Sequence, residues 1–345
     1  MSLQPGDPTQ LPKESMTRRF YSRSEVTGEI TLPAVPNMID EYVTMCDRLF
    51  SCVGREFTAE ELAQLRAVLE EQLAEAYATS HRSTVTISFN APPGPTVNYH
   101  VQAKWWTVEG AYERWISTRE PPLFGTEPDA RVWALAEEAI HPPTHRVLEI
   151  GAGTGRNALA LARRGHPVDV VEITPKFADM ICADAARESL DVRVIVRDAF
   201  STMDDLRNDY QLIVLSEVVP DFRTTKELRG LFELAAHCLA PGAHLVFNVF
   251  LAQGGYTPDE AAREFGQQEY TSIFTRHEMS AATAQLPLEL VADDSVYDYE
   301  KEHLPEGSWP PTSWYENWVS GLDVFPVARE DSPIELRWLV FRKTR

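Results

Sequence analysis

Arg146-Val-Leu-Glu-Ile-Gly-Ala-Gly-Thr-Gly-Arg156 constrains the fold of this chain more than any other stretch. Val147, Leu148 and Ile150 read as a short buried strand, and Gly151, Gly153 and Gly155 then bring the backbone round into a helix that begins near Thr154. Glycines allow positive φ and carry no Cβ to hold a ligand away from the main chain, while the following helix directs free N–H groups at an anionic group. A simple tight turn would use the same residues, so a second signal is needed. In nucleoside-binding α/β units an acidic residue for the ribose hydroxyls follows about twenty residues later. Glu172 stands there, at the end of the apolar run Val168-Asp-Val-Val-Glu172, and Thr174-Pro175 then begins a helix with a capping residue and a proline at its first position.

The alternation continues down the chain. Helix Pro175 to Leu190 is followed by strands at Val192 to Val196 and Leu212 to Leu215, a capped helix from Thr224 and a strand from Leu245 to Phe250. Near-continuous apolar strands between amphipathic helices imply a parallel sheet covered on both faces. Leu288 to Tyr299 and Ile334 to Lys343 read as a closing antiparallel pair, joined by an aromatic insertion at 301–332. Upstream, residues 1–33 mix Gly, Pro, Ser and charge without periodicity and read as a mobile arm. Residues 34–125 read as a cap of two helices and a hairpin: apolar spacing from Asn37 to Val53, a capping box at Thr58 to Glu61, and strands at Ser83 to Phe89 and Thr96 to Ala103 around Pro92-Pro93-Gly94-Pro95. The exposed edge of the hairpin would suit a homodimer.

Composition excludes several classes of partner. With 52 acidic against 32 basic residues and a net charge of −20, the chain repels phosphate backbones, so no nucleic acid is expected. No apolar run has transmembrane length, Met1 to Lys13 lacks a signal core, and a cytoplasmic location away from membranes is the expectation. Cys46, Cys52, Cys182 and Cys238 have no metal-ligand spacing and read as buried thiols, Cys182 and Cys238 on apolar helix faces. No metal is expected.

Taken in order, Glu149-Ile-Gly-Ala-Gly-Thr-Gly155, Glu172, Arg197-Asp-Ala199 and Leu239-Ala-Pro-Gly-Ala243 resemble the motifs of class I S-adenosylmethionine-dependent methyltransferases, over about residues 147–343. Ala243 departs from that family's usual second glycine. The resemblance implies a doubly wound, Rossmann-like sheet of seven mostly parallel strands in the order 3-2-1-4-5-7-6 with an antiparallel last strand, filling 126–345. It also implies S-adenosyl-L-methionine as cofactor, held by Glu149, Gly151, Ala152, Gly153, Gly155, Glu172, Ile173, Asp198, Ala199 and Ser216. Ligands of open α/β sheets lie beyond the carboxyl ends of the strands. Ser216, Glu217 and Asp221, after the fourth strand, therefore fall nearest the methyl group, with Glu217 the candidate base or amine-orienting carboxylate. Tyr112 and Trp115 of the aromatic segment, and Trp309, Trp314, Tyr315 and Trp318 of the insertion, are candidate substrate contacts, the insertion as an aromatic lid.

The reading that follows is methyl transfer to oxygen or nitrogen of a small molecule. Alternatives are a peptide or protein methyltransferase and a non-catalytic adenosylmethionine-binding scaffold. The Gly-x-Gly-x-Gly spacing speaks against NAD or FAD.

Overall fold

A computed structural model describes residues 11–345, which divide into two compact units after Val108.

The first unit is built on a three-stranded antiparallel sheet, β1 (Val26–Pro33), β2 (Thr84–Ala91) and β3 (Asn98–Lys104), in that order. Helices Ile39–Cys52 and Ala59–Thr79 supply its core, with Phe50, Leu65, Leu69 and Leu73 fully buried against Val85 and Ile87. Thr58 and Glu61 form the expected capping box. Residues 11–33 correct the expectation of a mobile arm: they form helix Leu11–Arg23 and β1, which pairs along its whole length with β2. Residues 1–10, the rest of that arm, lie outside the described residues. Gly28 obscured β1 in the sequence, and the ring of Phe89 takes its place in space, since a Cβ there would lie 2.5 Å from Phe89 Cζ. β1 occupies the β2 edge of the hairpin, so the edge strands of that sheet are β1 and β3.

The second unit carries the alternating α/β pattern. Its parallel strands are β4 (Val147–Ile150), β5 (Val168–Glu172), β6 (Val192–Val196), β7 (Tyr210–Leu215) and β8 (Leu239–Ala252). A short β9 (Ile273–Phe274) pairs with β8 and makes an eighth strand where seven were expected. β10 (Leu288–Ser295) and β11 (Ile334–Lys343) close the sheet, whose order is β10-β11-β8-β7-β4-β5-β6, with β11 antiparallel to both neighbours. Side chains alternate between two cores. Val147, Val170, Val214, Val246 and Trp338 face one layer of helices, and Leu148, Val171, Ile213, Phe247 and Phe341 face the other. That two-sided burial is why the strands read as continuous apolar runs.

Local signals set the boundaries. Capping boxes start helices Thr225–Cys238 and Arg276–Thr283. β10 stops at Ser295 rather than Tyr299 because the Ser295 hydroxyl accepts from Asp298 N and starts helix Val296–His303. The segment 109–125, expected in the cap, belongs to this unit. Cys46 and Cys238 are buried as expected, whereas Cys52 and Cys182 are exposed. Among the described residues no helix is long and apolar enough to cross a membrane.

Candidate active site

The glycine loop turns at the carboxyl end of β4. Gly151, Gly153 and Gly155 all have positive φ (67°, 54° and 81°), which L side chains rarely adopt, and Gly151 N donates to Val171 O of β5 at 2.8 Å. A Cβ at Gly151 would lie 2.5 Å from Val218 Cγ2. Close packing against the β7 loop, beyond any need of a ligand, therefore requires glycine there. Gly155 begins helix Arg156–Arg163, and Ala152 is buried.

Glu172 ends β5 almost fully buried, 3 % exposed. One carboxylate oxygen accepts from Gly153 N at 2.9 Å and the other from Thr174 N at 2.8 Å, so Glu172 clamps the loop to the next helix. Burial raises its proton affinity, against the pull of those N–H groups. Each oxygen keeps a lone pair for a further donor. Asp198, past β6, accepts from Phe200 N at 2.9 Å and caps the short helix Ala199–Ser201, with its second oxygen outside that bond. Ile173 and Phe200 are large apolar side chains left 36 % and 38 % exposed beyond β5 and β6, Phe200 with its ring 5.6 Å from that of Phe222. Phe200 carries no sequence signal, since only its exposure in the folded chain singles it out.

A buried polar network joins the loop to the end of β7. Asp129, 1 % exposed, stands where a helix N-cap belongs, yet its side chain does not cap helix Ala130–Glu137. Glu300, from 170 residues away, takes the first N–H groups of that helix, Ala130 N at 2.7 Å and Arg131 N at 3.1 Å, together with Trp338 Nε1. Asp129 is thereby free to bind Arg156 Nη1 at 2.7 Å, Ser216 Oγ at 2.6 Å and Asn157 Nδ2 at 2.9 Å. Arg156 Nη2 reaches Glu217 at 3.3 Å, and Asn157 also donates to Glu149 at 3.2 Å. Glu217 sits in the left-handed region at φ 61°, held by its N–H on Asn248 Oδ1 at 2.8 Å.

Burial pushes Glu149 up to about 8 and Glu217 to about 7, Asp129 adding to both shifts and Arg156 opposing them. Among the described residues, Arg156 is the one cation ion-paired to Asp129 or Glu217, and Glu149 Oε2 and Asn248 Nδ2 are buried without hydrogen-bond partners. Such a site holds more carboxyls than cations and is short of one donor, at Glu149 Oε2, and of one acceptor, at Asn248 Nδ2. A sulfonium-bearing, ammonium-bearing ligand fits that deficit, whereas the pyrophosphate of a dinucleotide does not. Sequence rules flagged Glu149, Ser216 and Glu217 but missed Asp129, Arg156, Asn157, Asn248 and Glu300 as members of the network.

Beyond the end of β7, Tyr112 Oη donates to Asp221 Oδ2 at 2.6 Å, bringing two of the expected residues together. Trp115 stacks on Phe124, with ring centroids 5.0 Å apart, and Phe124 in turn meets Phe177, which also touches Tyr112. The insertion departs from the expected lid. Tyr315 and Trp318 are 2 % and 5 % exposed in the main core, Trp318 edge-on to Phe250 and donating to Tyr270 O at 3.0 Å. Trp309 and Trp314 pack partly buried around Tyr315. Apolar side chains of this size gain more from burial than from capping a solvent-exposed mouth, which is why the insertion folds inward. Among the described residues no group of three His, Cys, Asp or Glu could hold a metal ion.

Residues 147–242, from the glycine-loop strand to the turn inside β8, match the family model described as "Methyltransferase domain". That stretch of the second unit is therefore similar to a methyltransferase domain. No curated protein matches the chain in sequence. Among solved structures it is similar to geranyl diphosphate C-methyltransferase from Streptomyces coelicolor A3(2), at 17 % identity and TM-score 0.47 over 62 % of this chain and 80 % of that one. It is similar also to the O-methyltransferase segment 961–1257 of StiE, at 18 % identity and TM-score 0.44 over 69 % and 78 %. A third is the [4+2]-cyclase SpnF, at 15 % identity and TM-score 0.45 over 62 % and 80 %. Likeness at this level says nothing of what this chain acts on.

Proposed function

We propose that this chain moves the methyl group of S-adenosylmethionine to an oxygen or nitrogen of a small molecule, with the buried Asp129–Arg156–Glu217 network beside the glycine loop as the feature that carries the reading. Bound cofactor supplies an electrophilic methyl on a cationic sulfur, so the protein has chiefly to align the acceptor and exclude water. Glu172 offers its remaining lone pairs to ribose hydroxyls while it holds the loop through Gly153 N. Asp198, Ala199, Ile173 and Phe200 border the adenine. Glu149 and Ser216 face the amino-acid end, through Asn157 and Asp129 respectively.

Glu217 is the proton acceptor in this reading. As the acceptor's lone pair forms the new bond to carbon and the carbon–sulfur electron pair stays with sulfur, the acceptor's proton passes to Glu217. A carboxyl raised to about 7 is matched to that task near neutral pH. Its left-handed backbone, fixed by Asn248, keeps the carboxyl pointed at Arg156. Asp221 with Tyr112, and the rings of Trp115, Phe124 and Phe177, supply a polar handle and an apolar wall for a small acceptor.

Incubation with methyl-labelled S-adenosylmethionine and a fractionated cell extract tests the reading. Label in the low-molecular-weight fraction, lost in Glu217→Gln, is the expected result. Label confined to polypeptide would favour a protein substrate, and cofactor binding with no transfer to any fraction would favour a scaffold.

A further inference from the structure

The network at the loop holds more carboxyls than cations, and two of its buried atoms, Glu149 Oε2 and Asn248 Nδ2, have no hydrogen-bond partner. Asp129, Glu149 and Glu300 are at most 2 % exposed, and Glu217 lies with them around a single guanidinium, Arg156. Arg131 lies near Glu300 but pairs with Asp294. Glu300 is satisfied by two backbone N–H groups and Trp338, and Asp129 by Arg156, Asn157 and Ser216. Glu149 and Glu217 are the incompletely answered members. Glu149 Oε2 is buried without a hydrogen-bond partner, and Glu217 has Arg156 only at 3.3 Å, longer than a tight charged pair, with Asp129 repelling it from the other side of the same guanidinium. The remaining titratable neighbour is Tyr315, whose buried phenol is held neutral.

We propose that this cluster is a proton-linked cation site, in which the positive sulfur of S-adenosylmethionine replaces a proton held by Glu217, so that the charged donor is preferred over its neutral-sulfur product. The inference rests on the cofactor reading given above and adds a discrimination to it. A buried carboxyl that cannot find a full counter-charge keeps its proton, and an arriving cation makes ionisation favourable again. After transfer the sulfur is neutral. The carboxyl then regains a proton, and the hold on the product weakens without any change in its adenosine or amino-acid contacts. The acceptor's own proton, taken by Glu217, is the one that remains.

Calorimetric titration of the full chain with S-adenosylmethionine and with S-adenosylhomocysteine tests this, because the two probes differ by the methyl group and its charge. The ratio of the two affinities is expected to rise about tenfold between about pH 6 and pH 8, as linkage requires when one proton leaves a group titrating near neutrality. Titrations near pH 7 in phosphate and in Tris should show proton release on binding the charged donor and less on binding the product. Glu217→Gln should flatten the ratio, whereas Glu188→Gln, on the exposed end of helix Pro175–Glu188, should leave it as in the wild type. A ratio independent of pH in the wild-type protein would overturn the proposal, and that arm needs no variant to fold. A pH dependence untouched by Glu217→Gln would overturn it as well. Failure of both probes to bind would overturn the cofactor reading itself, a different result from tight binding of both without proton release.

Discussion

Arg55 of the first unit and Arg156 of the second both place a guanidinium in the interior, and the two are answered in opposite ways. Arg55 in the first unit is fully buried and donates to five main-chain carbonyls, those of Thr96, Tyr21, Val53, Ser24 and Pro92, at 2.5 to 3.4 Å. It ties three loops together, with no carboxylate ion-paired to it among the described residues. Arg156 in the second unit has a side chain 7 % exposed and is shared between Asp129 and Glu217, with Glu149 a step further on. Arg55 is complete, since its partners are neutral dipoles that do not titrate. Arg156 instead faces two carboxyls, Asp129 and Glu217, besides the main-chain carbonyl of Glu127. A buried charge with every donor satisfied marks architecture; one whose surroundings remain under-neutralised marks a place for a ligand.

The comparison would break first at Arg55. Arg55→Met strands five carbonyls in the interior and should cost about 3 to 5 kcal/mol, in the range for removing one partner of a buried charged contact. Melting should show that loss to the same extent at pH 5 and pH 8, with S-adenosylmethionine affinity per folded molecule unchanged. A pH-dependent loss would mean that Arg55 answers a titrating group after all.

Arg156→Gln should behave differently. Its cost should be about 1 to 3 kcal/mol near pH 8 and smaller near pH 5, because Glu217 and Glu149 can take up protons in place of the lost guanidinium. Equal costs at both pH values would remove the distinction between the two arginines.

A smaller effect is expected of Glu149→Gln. The carboxyl of Glu149 is raised from the ordinary range to about 8, so it favours the folded state fully below its unfolded titration and loses that contribution as pH rises through about 8. The wild-type melting temperature should therefore fall between pH 5 and pH 8. Glu149→Gln, which keeps an oxygen for Asn157 Nδ2, should flatten part of that fall. An unchanged slope would place the titration elsewhere.

How far the sequence could be read follows the range of the interactions. The capping boxes at Thr58, Thr224 and Thr275 are complete within four residues, and all three are present. The glycine loop and Glu172 were legible because their spacing is set by one β–α–β unit, and they meet through Gly153 N. Asp129 was missed for the converse reason. Its position before a helix is that of a cap, but Glu300 supplies the cap from another part of the chain, and nothing near Asp129 announces it. The same holds for Asn248, which lies in the interior of β8 and meets Glu217 only across the sheet. In the insertion, aromatic composition was legible but its direction was not. Trp318 pointing to Phe250 and Tyr270 O depends on packing that composition does not encode.

The central claim is that the glycine loop and its clamp bind S-adenosylmethionine, and calorimetric titration of the wild-type protein beside Glu172→Ala tests it most directly. The account predicts one-to-one binding to the wild type, weakened in the variant by about 1 to 3 kcal/mol through loss of charge-accepted hydrogen bonds at the loop and the ribose. A wild-type protein that takes up no S-adenosylmethionine, or a Glu172→Ala protein of unchanged circular dichroism that binds it as tightly as the wild type, would contradict the account.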